Sequence, residues 1–162
     1  MHKTCLMRVA MMTLNAAADL LTGIRYIDFE AETRMSIGGE GLQPESRLDV
    51  TTAEAHGGSR AARLHYRFRE GIAPRQYVEL NLGKQLNGNV RSIAFWLKGD
   101  TSKQRLKLRV MDASGEMFQY NLGFIDWSDW RQVRCDLTAK PEVNWGDLSD
   151  GTQSDDRTAT RF

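Results

Sequence analysis

The sequence holds few of the residues that mark disulfide-stabilised, metal-binding or strongly charged proteins. Among 162 residues there are 2 cysteines, 3 prolines and 3 histidines, and 22 basic residues stand against 21 acidic ones. A formal net charge of +1 creates no global field that would attract nucleic acid or anionic lipid. Hydrophobic residues at 41% and charged residues at 27% are typical of a soluble globular chain and argue against a membrane span. The composition therefore predicts one folded domain with no disulfide framework, no nucleic-acid partner and no membrane span.

The first 23 residues differ in pattern from the rest of the chain. Basic residues come early and an apolar stretch follows, as in a secretory signal, but Asn15 and Asp19 interrupt that stretch and make the match poor. Apolar residues also recur there at helical spacing. They are Leu6, Ala10, Leu14, Ala17 and Leu21. We predict a tail or a short amphipathic helix over 1–23 and favour the helix over an export signal.

From residue 24 onward, short runs of alternating apolar residues are separated by Gly, Asn, Asp and Ser, which is typical of an antiparallel β-sandwich. Within each run one parity is apolar and is expected to face the core, Cys135 included. The strong predicted strands are 61–69, 76–82, 92–98, 105–111, 117–122 and 130–137, and the weaker ones are 26–30 and 48–52.

The segments between and after these strands contain residues typical of turns and loops. The loop 112–116 contains Gly115, which supplies the positive φ of a short hairpin, and its two acids offer too few oxygens for a calcium loop. The stretch 33–46 is predicted as a Gly-rich loop. Alternation fades after Leu137, and the polar end 147–162 is predicted as a disordered tail. The sandwich is thus expected to occupy 24–146.

Residues for catalysis are scarce. The three histidines, His2, His56 and His65, show no spacing like that of a zinc site or of a nucleophile with its base. Glu79 and Asp136 lie at outward strand positions, where a charge is usually only solvated. We therefore expect a chain that is not an enzyme. Paired carboxylates meet in space and not in sequence, so a small lyase or glycosidase stays the third alternative.

Tryptophan is the residue type that stands out in the second half of the chain. Its faces stack on sugar rings, but it more often fills cores and corners. We expect this packing role for most of the tryptophans, with Trp127 and Trp130 at the edge of the sandwich, whereas Trp145 lies in a predicted loop and suits either role.

Several segments follow one another in a distinctive order. They are DFE at 28–30, GGS at 57–59, SIAFWLKGD at 92–100, LKLRVMD at 106–112 and DWSDWRQV at 126–133. This succession resembles the carbohydrate-binding modules of the galactose-binding-domain-like superfamily. The resemblance covers 24–146 and implies a β-jelly roll that binds a glycan or polysaccharide. It also implies an accessory module of a bacterial glycan-active or surface protein, extracellular or on the cell surface, with a catalytic domain tethered in a longer parent protein. Such modules finish with one more strand where this chain has its polar tail, so we expect the last strand to be missing.

The resemblance also implies a structural calcium ion, held here by Asp28, Glu30 and the carbonyls of 58–59. For the ligand, we expect three strands of one jelly-roll sheet to join their outward residues in a broad polar face. These candidate carbohydrate-binding residues are Tyr77, Glu79, Asn81, Arg105, Lys107, Arg109, Gln119 and Asn121. The three basic residues among them leave room for an acidic glycan. The main alternative is a structural or protein-interaction sandwich of the same fold, such as an assembly factor.

Overall fold

The computed structural model describes residues 3–11, 25–27, 29–30, 34–70, 76–82 and 89–147. This part of the chain is all β, with antiparallel pairing throughout, and none of it forms a helix that could cross a bilayer. The all-β prediction is therefore confirmed. The strands are β1 Lys3–Met11, β2 Arg25–Ile27, β3 Ser36–Glu40, β4 Arg47–Thr51, β5 Ala61–Tyr66, β6 Tyr77–Asn81, β7 Ser92–Lys98, β8 Arg105–Met111, β9 Glu116–Phe124, β10 Trp130–Asp136 and β11 Val143–Asp147.

The strands form three hydrogen-bonded sheets. The largest has the order β10-β7-β1-β5-β4, with β2 also paired to β1. The second has the order β11-β9-β8, and the third consists of β3 and β6. Following the chain from β7, two strands go to the three-stranded sheet, β10 returns to the large sheet and β11 crosses back again.

One hydrophobic core lies between the large sheet and the three-stranded sheet. Phe95 and Leu97 of β7 are 2% and 1% exposed, and Phe118 of β9 is 1% exposed; all three belong to one buried cluster. The hydroxyl of Tyr120 donates to the carbonyl of Leu137 at 3.0 Å, which ties β9 to the end of β10. Because this hydroxyl is buried, the pKa of Tyr120 rises to about 12. The apolar parities of the strong strands therefore face the core, as predicted.

The N-terminal segment is a strand and not the predicted helix, as far as the described residues reach. Lys3–Met11 lies inside the large sheet, where Met7 pairs with Leu97 on one side and Ala62 on the other. The helical spacing in this segment overlaps an apolar alternation at 5, 7, 9 and 11. The strand conformation is favoured because β5 and β7 each offer an edge to β1, and hydrogen bonds to these two strands satisfy the backbone groups on both sides of it. Residues 12–24, the rest of the predicted helix, lie outside the described residues.

Two further strands, β3 and β11, lie where loops were predicted. In β3, Gly39 has φ +146°, and a Cβ at this position would lie 2.2 Å from the carbonyl oxygen of Tyr77. Gly39 therefore allows the backbones of β3 and β6 to approach closely, and does not mark a flexible loop. Strand β11 pairs with β9 and includes the predicted loop residue Trp145. Of the predicted disordered tail 147–162, Asp147 is the last residue of β11, and residues 148–162 lie outside the described residues.

The hairpin between β8 and β9 has the predicted turn. Gly115 has φ +96°, and Oδ1 of Asp112 accepts hydrogen bonds from the backbone N–H groups of Ser114 and Glu116 at 2.9 and 3.1 Å. The carboxylate of Asp112 thus fastens the turn through Oδ1.

Candidate functional site

Strands β8 and β9 bring most of the predicted ligand-binding residues together. Lys107 pairs with Asn121 and Arg109 with Gln119, so these side chains share the side of the sheet opposite the core. Their strand neighbours Leu108 and Tyr120 belong to the core cluster or pack against it. We call this outer side of β8, β9 and β11, together with Tyr77 and Glu79, the polar face.

The prediction that 76–82 shares one sheet with 105–111 and 117–122 is wrong, because β6 pairs with β3 in the two-stranded sheet and not in the sheet of β8 and β9. The alternation along a strand shows which residues point outward, but not which neighbouring edge the strand joins. Two residues of β6 still reach the polar face: Glu79 forms an ion pair with Arg109, and the guanidinium carbon of Arg109 lies 5.7 Å from the ring centre of Tyr77. Asn81 lies two residues farther along β6, opposite Ser36 of β3.

A buried amide connects the two halves of the polar face. Gln119 is only 4% exposed; its Oε1 accepts from Nε of Arg109 at 3.0 Å, and its Nε2 donates to Oε2 of Glu142 at 3.0 Å. The backbone N–H of Glu142 also donates to the carbonyl of Gln119 at 2.8 Å. These contacts fix Arg109 relative to the segment that leads into β11. Gln119 is therefore a positioning residue and not an exposed ligand contact.

Glu142, which sequence reasoning missed, balances the basic residues at the other end of the polar face. Its carboxylate lies 2.8 Å from Nζ of Lys107 and 3.9 Å from a guanidinium nitrogen of Arg105. Hydrogen bonds from Lys107 and from Gln119 lower the pKa of Glu142. The carboxylate therefore stays charged at neutral pH beside both cations.

Exposed hydrophobic side chains concentrate on the polar face. Tyr77 and Trp145 are each 41% exposed, and the guanidinium carbon of Arg109 lies 5.0 Å from the ring centre of Trp145, so Arg109 contacts both rings. Met111 and Phe124 are 59% and 53% exposed. Five large hydrophobic residues are exposed in the described part of the chain, and these four of them lie on or beside the polar face.

Phe124 reaches the polar face through an irregularity in β9. The register between β8 and β9 shifts between Arg105 and Lys107, and Gly123 has φ +92°. Phe124 then lies opposite Arg105, whose guanidinium carbon is 5.3 Å from its ring centre. By parity alone Phe124 would point into the core with Tyr120, so sequence reasoning missed it. The available signal was a glycine inside a strand pattern, which often marks a bulge.

The predicted calcium site is described only in part, because Asp28 lies outside the described residues. The carboxylate of Glu30 accepts from the backbone N–H groups of Ser59 and Arg60 at 2.7 and 3.0 Å and from the Ser59 hydroxyl. The guanidinium of Arg60 donates to the carbonyl oxygen of Glu30 at 3.2 Å. Backbone N–H donors and a guanidinium surround an anion and are not ligands of a cation. The described contacts show that the Glu30 carboxylate fastens the 57–60 turn, and the calcium site stays a prediction.

The other tryptophans have neighbours within the fold. The indole N–H of Trp127 donates to the carbonyl of Leu97 at 3.2 Å and closes a corner of the core. On the outer side of the large sheet, His56 stacks on Trp96 at 3.7 Å between ring centres, and Trp130 lies 5.6 Å from His56. Trp145 is thus the tryptophan of the polar face.

Comparisons with protein-family models, with curated proteins and with solved structures found no match to this chain. The argument for a function at the polar face therefore rests on the geometry of its residues.

Proposed function

We propose that this chain is a non-catalytic glycan-binding module with a jelly-roll sandwich fold, and that the polar face is its ligand surface. The observation that carries the proposal is the position of two exposed aromatic rings, Tyr77 and Trp145, around the guanidinium of Arg109. Solvent-exposed aromatic rings grouped beside fixed polar groups are unusual on an inert surface and mark binding sites.

The chemistry of the face suits a hydroxyl-rich ligand. A sugar presents hydroxyl groups that donate and accept hydrogen bonds, and faces of C–H groups that pack on aromatic rings. Arg105 and Lys107 supply donors, Glu79 and Glu142 supply acceptors, and the ion pairs among them hold these groups in place. The buried Gln119 holds Arg109 and Glu142 in fixed relation before any ligand arrives, which lowers the entropic cost of binding.

The jelly-roll assignment is part of the same proposal. It is supported by the core shared between the large sheet and the three-stranded sheet, and by the return of the chain to the large sheet at β10 after two strands in the other. We also propose, from the resemblance of the sequence, that the module acts outside the cell as an accessory to a tethered catalytic domain.

Affinity electrophoresis through gels that contain soluble polysaccharides tests the proposal. The wild-type chain should be retarded by at least one polysaccharide, and Tyr77→Ala and Trp145→Ala should weaken the retardation with little change in Tm. Val50→Ala is the matched control, because Val50 is 40% exposed but lies on β4 of the large sheet. No retardation across a broad panel would favour a structural or protein-interaction role, and release of reducing ends would indicate an enzyme.

Arg109→Ala is a second test with a different expected signature. It should weaken retention, but it also removes a donor from the buried Oε1 of Gln119, which costs about 1–3 kcal/mol when no water replaces it. Binding and stability should therefore fall together in this variant, in contrast to Tyr77→Ala and Trp145→Ala.

A further inference from the structure

We infer that the ligand of the polar face is an uncharged glycan chain, longer than one sugar ring, that runs along β8 and stacks on Phe124 as well as on the Tyr77–Trp145 pair. This inference rests on the proposed function and specifies its ligand. Phe124, which the sequence pattern assigns to the core side, becomes a second stacking position.

The length of the ligand follows from positions on β8. Tyr77 and Trp145 flank Arg109, whereas Phe124 lies opposite Arg105. Arg105 and Arg109 are four residues apart, which at about 3.3 Å per residue separates the two aromatic positions by about 13 Å. A single pyranose ring is much shorter than this distance, so one ligand contacts both positions only if it is an extended oligosaccharide.

The backbone at Gly123 indicates that the exposure of Phe124 is built into the strand. A Cβ at Gly123 would meet no atom within 4 Å, so glycine is not needed there for space. It is needed for its φ of +92°, and the N–H of Gly123 donates to Oδ1 of Asn121 at 3.1 Å, which fixes the bulge. The effect of this bulge is to place an aromatic ring in solvent beside Arg105 instead of in the core.

The charge of the ligand follows from the ion pairs. Arg109 is paired with Glu79, and Lys107 and Arg105 both lie beside Glu142. An acidic glycan would have to compete with these carboxylates for every cation of the face. Neutral hydroxyl groups can instead bridge donors and acceptors that are already in place. Two carboxylates against three basic residues leave one net positive charge, so the pairing weakens the basis on which the three basic residues alone had suggested an acidic glycan.

Calorimetry with four oligosaccharide series tests the inference. The probes are gluco-, xylo-, manno- and galacturono-oligosaccharides, each from the monosaccharide to the hexasaccharide. One neutral series should bind with an affinity that rises with chain length, and the galacturono series should bind more weakly. Phe124→Ala should reduce affinity for the hexasaccharide about tenfold and leave the disaccharide nearly unaffected. Tyr77→Ala should weaken every length, and Val50→Ala should change none.

A second variant tests the charge separately. Glu142→Gln removes the carboxylate beside Lys107 and Arg105, and should increase affinity for the galacturono series while the neutral series changes less. A wild-type preference for the galacturono series overturns the inference, as does affinity that is flat beyond the disaccharide or an equal effect of Phe124→Ala at every length. If no series binds, the proposed function itself is overturned. If a series binds without these trends, only the inference about its length and charge is.

Discussion

Replacing Phe95 by alanine tests the register of β7, whose inward side packs in the core shared with β9. Phe95 is 2% exposed at the middle of β7, where it pairs with Val133 of β10 and Val9 of β1. Loss of a buried phenylalanine side chain in a packed core costs about 3–5 kcal/mol, through lost burial and the cavity left behind. For a chain of this size each kcal/mol lowers Tm by about 2–4 °C, so we expect a fall of roughly 6–20 °C.

Phe124→Ala is the matched control, since it is the same chemical change at a ring that is 53% exposed. We expect it to cost less than about 1 kcal/mol, as is usual for surface substitutions. Urea denaturation of both variants and the wild type, with the slope m unchanged, measures the two costs on one scale. A cost below about 1 kcal/mol for Phe95→Ala would show that the β7 register is wrong. A cost for Phe124→Ala as large as that of Phe95→Ala would place Phe124 in the core and remove the second stacking position.

Three further predictions concern the rest of the chain. Deletion of residues 1–11 removes β1, the strand between β5 and β7, so near-ultraviolet circular dichroism should show loss of fixed side-chain packing. An unchanged spectrum and melting curve would show that the fold does not need β1. Glu30→Ala should lower Tm equally in millimolar calcium and in chelator, because it loses the bonds to Ser59 and Arg60. A calcium-dependent rise in Tm seen only with Glu30 intact would contradict this and support the predicted calcium site. Burial raises the pKa of Cys135 from 9.0 to about 11, so its contribution to stability is present below pH 9 and is lost as pH rises toward 11. In a Cys5→Ser background a thiol reagent should label Cys135 only on unfolding, and rapid labelling of the folded chain at pH 8 would contradict its burial.

Local alternation was enough to predict β7 in the core and the polar-face strands β8 and β9, but not β11. The predicted strands 92–98 and 105–111 have the bounds of β7 and β8, and 117–122 lies within β9. Side chains on a strand alternate strictly between its two faces, so the apolar parity also predicted that Arg105, Lys107 and Arg109 would point away from the core. The turn at Gly115 was equally local, because it depends on the φ of one residue.

Long-range pairing decided what the sequence by itself did not. Residues 3–11 carry both a helical and an alternating apolar pattern, and edges on β5 and β7 select the strand. The edge that β6 joins and the approach of Glu142 to Lys107 depend on segments far apart in the chain. The shifted register that exposes Phe124 depends on how β9 pairs with β8. A pattern read along one strand reports the side to which each residue points. It contains no information on which strand lies alongside, and a single-residue bulge reverses the side for the residues that follow it.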